Sequence, residues 1–257
     1  MKILDREISW ILKEKYGSRT CEDFKNDIKR LKRGEPIDYI IGFTKFLGCK
    51  IDLFQKPLIP RPETEYWVEK VIEEIKVSVK TTLSRNFYGE KIKVLDLFSG
   101  SGCVGLAILK NTENTKVVFA EKDEKLLKQI KINLELNKID SKRYRIIQSD
   151  VFQQVDGKYD YVLANPPYIA EKRKNKIQKS VLKFEPKKAL FGGKNGLFFI
   201  KIFLEGAKNH FKKENKIYME FDSRQKEEIR KMLKKNGYKN YQFQKDQFKR
   251  WRYLIIN

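Results

Sequence analysis

The sequence predicts an α/β protein built on a mainly parallel sheet with helices on both faces. Three observations carry this. From Ile92 onward, short apolar runs alternate with amphipathic helical patterns. A glycine-rich loop, Ser99-Gly100-Ser101-Gly102, follows the first of those runs. Acidic residues, Asp96, Glu121 and Asp150, recur at the carboxyl ends of the runs. That edge is where open α/β sheets bind ligands.

The elements follow in chain order. Ile3, Ile8, Ile11 and Leu12 mark a first helix. Phe24, Ile28 and Leu31 mark a second, with Thr20 and Asp23 expected to form a capping box. Gly34-Glu35-Pro36 ends this region, which is too short to fold alone. Tyr39-Ile40-Ile41-Gly42 and the stretch Phe46 to Leu53, apolar pieces broken by glycine, predict a hairpin. Pro57, Pro60 and Pro62 restrict the backbone before a helix that starts near Thr64 and carries Val68, Val71, Ile72 and Ile75. The polar run from Ser78 to Glu90 reads as a connection. Strands are predicted at 92–97, 117–120, 144–147, 159–164 and 217–221. Helices are predicted at 103–109, around Leu126 to Leu134, and at 226–235, with a closing antiparallel pair at 241–243 and 251–256. The expected division is a helical region over 1–35, a hairpin, linker and connecting helix over 36–90, and the main domain over 91–257.

Composition bounds the function. With 257 residues, 40% hydrophobic and 35% charged, the chain can bury a sizeable core and is expected to fold. No apolar run approaches the roughly 20 residues of a membrane span. Met1-Lys2-Ile3-Leu4-Asp5-Arg6-Glu7 has no secretion-signal pattern, so an intracellular site, cytoplasm or organellar matrix, is the default expectation. Cys21, Cys49 and Cys103 are scattered and fit neither a disulfide framework nor a metal knuckle, and no metal is expected. The single histidine, His210, reads as a surface residue, which leaves histidine catalysis unsupported. The net charge of +22 suits indirect contact with a ribosome or RNA. It is spread along the chain mostly as lysine, so a compositional bias accounts for it equally well.

The loop Asp96-Leu97-Phe98-Ser99-Gly100-Ser101-Gly102 is a candidate cofactor site, with Gly100 and Gly102 permitting tight turning and close approach of a ligand. Glu121 lies 21 residues beyond Gly100, placed to accept both hydroxyls of a ribose. Dinucleotide enzymes use the same device. Asp96 tilts the reading to S-adenosylmethionine: a carboxylate there holds an amino-acid end, whereas it repels a pyrophosphate. Asp150 is placed to accept from an adenine amino group. Taken singly, each acid is equally well a strand-end cap.

Asn165-Pro166-Pro167-Tyr168 follows the apolar run Tyr161 to Ala164. The Asn165 side-chain oxygen and the Pro166 carbonyl can both accept from one NH2 group. Pro167 fixes its own φ and biases Pro166 toward an extended state. Tyr168 is placed to cover a flat target. Gripping both N–H bonds turns the nitrogen lone pair toward an incoming methyl, and no covalent enzyme intermediate is needed. Glutamine amides, exocyclic adenine amines and guanine N2 all satisfy this grip, and the turn alone does not choose among them. A plain Pro-Pro turn is the bland alternative.

From about Gly34 onward the chain resembles the bacterial and organellar release-factor glutamine methyltransferases. The resemblance rests on Gly34-Glu35-Pro36, Tyr39-Ile40, Gly42, Phe46-Leu47-Gly48, Ile59-Pro60-Arg61-Pro62-Glu63-Thr64-Glu65 and Asn165 to Tyr168. Downstream it continues through Phe184-Glu185-Pro186, Gly192-Gly193, Gly196-Leu197, Glu220, Gln225, Asp246 and Arg252. A related ribosomal-protein glutamine methyltransferase family shares Asn-Pro-Pro-Tyr but differs over residues 59–65. The resemblance implies a Rossmann-like seven-stranded S-adenosylmethionine-dependent methyltransferase with a small N-terminal helical region and a β-hairpin. It implies S-adenosylmethionine as donor, S-adenosylhomocysteine as product, and the glutamine of a release factor's Gly-Gly-Gln loop as acceptor. The N-terminal helices and hairpin would help dock that protein. Asp96, Ser99, Gly100, Gly102, Glu121, Asp150 and Asn165 become donor-site residues. Asn165, Pro166, Pro167 and Tyr168 serve the glutamine, with Phe46 and the Arg61 to Glu65 segment, Arg61 and Glu63 among it, shaping the acceptor side. An internal salt bridge is the alternative for Arg61 and Glu63. Four features depart from the family pattern: Phe98 replaces a usual glycine, Glu121 a usual aspartate and Asp222 a frequent glycine, and the region before Gly34 is short. Methylation of adenine or guanine in RNA or DNA is the competing reading, and a non-catalytic ribosome-associated module a third.

Overall fold

The computed structural model describes residues 3–84 and 91–257. Helices α1 (Ile3–Tyr16), α2 (Glu22–Lys32) and α3 (Ile37–Ile41) pack around Ile11, Leu31 and Ile40. Beneath them Asp27, 4% exposed, accepts from Lys15, Tyr16 and Arg30. The expected Thr20–Asp23 capping box does not form. Cys21 is the N-cap of α2 without a side-chain bond, which places Thr20 and Asp23 one residue out of register for a box.

Tyr39 to Ile41 is helical rather than the first arm of the hairpin. Pro36 at the N-cap starts α3, and Gly42 ends it in the left-handed region at φ 91°. The hairpin pairs β1 (Phe43–Phe46) with β2 (Cys49–Asp52). Leu47 and Gly48 both have positive φ in its two-residue turn, as the twist of such hairpins demands.

Helix α4 (Pro62–Ser84) begins two residues before the expected Thr64, with proline at its first position. It continues through 78–84, where a connection was expected. That stretch contains neither glycine nor proline to stop it. The rest of the expected connection, 85–90, lies outside the described residues.

The main domain runs β3 (Ile92–Leu97), α5 (Cys103–Asn111), β4 (Thr115–Glu121), α6 (Glu124–Leu136), β5 (Tyr144–Gln148) and β6 (Tyr159–Ala164). Three helices absent from the sequence reading follow: α7 (Lys179–Phe184), α8 (Lys187–Leu190) and α9 (Phe198–Gly206). Then come β7 (Phe211–Glu220), α10 (Lys226–Lys235), β8 (Tyr241–Lys245) and β9 (Trp251–Ile256). The seven strands stand in the order β5-β4-β3-β6-β7-β9-β8, and β9 runs against both of its neighbours. This is a Rossmann-like sheet whose order reverses between β3 and β6.

Strand alternation builds a core on each face. Val94, Val117, Phe119 and Leu163 meet Trp67, Val71 and Ile75 of α4 and the apolar sides of α5 and α6. Leu95, Leu97, Val162 and Ile217 meet Ile200 and Phe203 of α9 and Ile229 and Leu233 of α10. Three amides on α6 and its C-cap anchor the hairpin and its flank. Gln129 accepts from Gln55 N–H, Asn133 from Asp52 N–H at 2.7 Å, and Asn137 from Lys50 N–H at 3.0 Å. Asn133 also donates to the Ser101 carbonyl at 2.9 Å, which ties the hairpin to the glycine-rich loop.

Candidate active site

Parallel register brings the candidate residues to one edge. Leu97 of β3 pairs with Ala120 of β4 and Ala164 of β6, and Glu121 pairs with Gln148 of β5. Asp150, Glu121, the 96–102 loop and Asn165 therefore line up along four adjacent carboxyl ends.

Asp96 is 2% exposed, and Gly105 N–H donates to its Oδ2 at 2.9 Å. Burial, opposed by that bond and reinforced by the Glu121 charge, pushes its carboxyl up to about 7. The Ser99 hydroxyl lies on the Asp96 and Ala120 carbonyls at 2.7 and 3.2 Å. Gly102 caps α5 at φ 78°. The longer side chain of Glu121 turns back on the loop, accepting from Gly100 N–H at 2.9 Å and from the N–H groups of Lys122 and Asp123. Asp150 pairs with Lys122 at 2.6 Å, an exposed contact that is easily exchanged. Phe98 accepts the left-handed conformation usual for glycine, φ 59°, and its half-buried ring packs edge-on against Phe199 at the margin of the core.

The acceptor turn is organised by Glu220, to which the sequence reading gave no role, and by Thr64, which lies in the segment expected to shape the acceptor side. Glu220, 1% exposed at the end of β7, accepts from Thr64 Oγ1 at 2.7 Å, Trp67 Nε1 at 2.8 Å and Tyr168 Oη at 2.8 Å. Thr64 has one proton, and Glu220 takes it. Thr64 can then only accept from Asn165, whose Nδ2 lies 3.2 Å away. This chain of donors fixes the Asn165 amide with its nitrogen on Thr64 and its Oδ1 turned away. Among the described residues none donates to Asn165 Oδ1 or to the Pro166 carbonyl. Both oxygens are thus left without a donor from the described residues of the chain itself. The clue in the sequence was the presence of Thr64 and Glu220 in the matched stretches.

Tyr168 is held rather than swinging. Burial and the neighbouring Glu220 charge raise its phenol well above the usual range, so it remains a donor to Glu220. Arg252 reaches its oxygen at 3.4 Å while bound to Asp246 at 3.1 Å. A glycine strap closes over the turn: a Cβ on Gly196 would stand 2.1 Å from the Tyr168 carbonyl, and one on Gly192 2.3 Å from that of Pro167. Gln225 donates to the Tyr168 and Gly196 carbonyls, both at 2.9 Å.

Of the three residues named for the acceptor side, Phe46 and Arg61 are engaged in other contacts, while Glu63 stands next to the Arg252 that reaches Tyr168. Phe46 is 1% exposed in the core. Arg61 pairs with buried Glu185 at 2.6 Å, so the internal salt bridge exists with a different partner. Glu63 lies 3.9 Å from Arg252. Pro166 and Pro167 are buried in the turn. His210 is not a plain surface residue: its ring stacks on Phe152 at 4.8 Å, with Nδ1 buried and unpartnered among the described residues.

Residues 79–242 match the methyltransferase small domain family. The release factor glutamine methyltransferase of Flavobacterium psychrophilum is 32% identical over 231 residues, spanning 89% of this chain and 77% of that protein. Its counterpart from Thermodesulfovibrio yellowstonii is 34% identical over 230 residues, spanning 89% and 78%. A methyltransferase structure from Pyrococcus furiosus aligns with a TM-score of 0.55 at 20% identity, over 90% of this chain and 97% of that one, which is a likeness of fold. Sequence, sheet order and the polar edge agree: the chain belongs to the release factor glutamine methyltransferase family and is an S-adenosylmethionine-dependent methyltransferase.

Proposed function

We propose that this protein methylates the side-chain amide nitrogen, N5, of the glutamine in the Gly-Gly-Gln loop of peptide-chain release factors. The observation that carries the reading is the Glu220–Thr64–Asn165 chain, which leaves Asn165 Oδ1 and the Pro166 carbonyl as paired acceptors for one NH2. The amide lone pair is delocalised, so the nitrogen is a poor nucleophile. Holding both N–H groups on fixed acceptors costs nothing further at the moment of reaction and presents the face of the amide, along which the lone pair points, to the methyl carbon while the nitrogen becomes pyramidal. Preorganisation of this kind contributes several kcal/mol, on the order of 10²- to 10³-fold in rate. Bulk water takes up the proton after transfer.

The donor edge suits S-adenosylmethionine. Asp96 is a buried carboxyl whose ionised form needs a cation, and Glu121 and Asp150 offer acceptors on the next two strands. When bound, the donor supplies a methyl carbon activated by a cationic sulfur. Among this chain's own groups, Asp96 would hold the amino-acid end, Glu121 the ribose and Asp150 the adenine edge. Glu121 and Asp150 would exchange their present backbone and Lys122 partners to do so.

Incubation with methyl-labelled donor and a purified release factor, followed by mass spectrometry of its peptides, tests the reading. Label on the loop glutamine side chain is expected. Label appearing instead on purified RNA or DNA, with none on the release factor, would establish the purine alternative.

A further inference from the structure

Residues 172–188 carry eight Lys or Arg against one acid, Glu185, whereas the whole chain carries 56 against 34. The enrichment therefore exceeds the background of a lysine-rich protein. Glu185 is buried and spent on Arg61, and Arg173 is paired with Asp222 at 2.9 Å. The seven lysines are all exposed, and none has an ion-pair partner among the described residues. Such crowding of like charge is self-repulsive, and an anionic surface laid over it relieves the repulsion.

Its position matters more than its charge. The segment leaves the sheet four residues after Tyr168 and returns to it at the strap. Ile169 N–H donates to the Leu190 carbonyl at 2.9 Å, and Gly192 N–H donates to the Ile169 carbonyl at 3.0 Å. Lys172 and Arg173 share with Tyr168 the wall of a cleft of about 350 Å³. A macromolecule that approaches Tyr168 through this cleft meets the start of the segment. The segment's aromatic residue, Phe184, is half-buried, so the surface offers charge without a stacking platform for bases.

We propose that residues 172–188 are an electrostatic docking surface for an acidic patch of the acceptor protein, placed beside the acceptor turn. The proposal rests on the reading that the acceptor is a protein. Charges of this kind steer encounter and act mainly on association, so they belong in KM rather than in the chemical step.

The test compares two triple charge reversals of equal net change. K174E/K176E/K179E alters the segment. K116E/K142E/K158E alters a second basic cleft of about 350 Å³ at the amino ends of the strands, the opposite edge of the sheet. The segment variant is expected to raise KM for the release factor about tenfold at low salt, a gap that closes as salt is added. Its kcat and donor affinity should stay within about twofold, and the control should leave KM within about threefold. Equal KM changes in both variants, no change in either, or a loss confined to kcat would overturn the proposal. So would loss of binding to an RNA fragment by the segment variant with KM unmoved, which would make the surface a nucleic-acid site. If wild-type protein transfers nothing, calorimetric binding of release factor at low salt reads the surface directly. Binding that depends on the segment then rejects the activity and keeps the surface, and absent binding rejects both.

Discussion

At the scale of single residues, the central device is proton inventory. Thr64 matters because it passes the polarity of a buried carboxylate to Asn165. Thr64→Val keeps the shape and removes the hydroxyl, so Asn165 loses the bond that sets its orientation. Single-turnover transfer is expected to fall roughly 10- to 100-fold with donor affinity unchanged, and Thr64→Ser to recover most of it. Equal losses in both variants would leave Thr64 a packing residue. Asn165→Ala should cut transfer by about 100-fold or more with donor binding intact. Asp96 supplies a pH prediction. Its carboxyl titrates near 7 in the free protein, and only the ionised form attracts the donor's cationic groups. Donor affinity is therefore expected to rise through pH 7, with proton release visible by calorimetry in buffers of different ionisation enthalpy. The same raised pKa means that Asp96 favours the donor-free fold fully below about pH 4, and that this contribution is lost as the pH climbs through about 7. Asp96→Asn should abolish the pH dependence of binding and raise the Tm of the donor-free protein at pH 8. A pH-dependent affinity that survives in Asp96→Asn would contradict the assignment.

Among the elements, the strap and α6 hold the two halves of the site. Gly157 and Gly196 share a φ of 74°, but an added Cβ meets nothing within 4 Å at Gly157 and the Tyr168 carbonyl at Gly196. The pair separates backbone strain from crowding. Gly157→Ala is expected to cost about 1 kcal/mol in urea unfolding, from left-handed strain alone. Gly196→Ala should cost roughly 3 kcal/mol or more and slow transfer, because the Tyr168 backbone must move. Equal costs would show that the strap does not press on the turn. On the other side, the α6 amides explain why a small hairpin sits firmly on a larger sheet. They satisfy backbone groups of β2 and its flank, and Asn133 extends the hold to Ser101. Phe98 shows how a departure from family pattern is absorbed: left-handed strain of about 1–2 kcal/mol is offset by burying a ring against Phe199.

For the whole molecule, the strand–helix alternation after Ile92 was enough to foresee a parallel sheet with its polar residues on one edge, because short apolar runs and connections leave few arrangements. Asp96, Glu121, Asp150 and Asn165 were readable for that reason. The link from Thr64 to Glu220 was not, since it joins residues 156 apart and exists only after α4 has crossed the sheet. Gln129, Asn133 and Asn137 carry no sequence signal of their own, because only tertiary packing brings them to the backbone of β2 and its flank. Tyr39 to Ile41 could be read as strand or helix from composition, and the decision lay with Pro36 and Gly42 at its ends. The chemistry of the site is set by a few hydrogen bonds deep between α4, β6 and β7. The structure of the protein with S-adenosylhomocysteine and a glutamine-containing acceptor peptide tests this most directly. The account expects the glutamine NH2 to lie about 2.7–3.2 Å from both Asn165 Oδ1 and the Pro166 carbonyl, with Asn165 Nδ2 still on Thr64. A glutamine bound away from those two oxygens, or an Asn165 amide turned the other way, would contradict it.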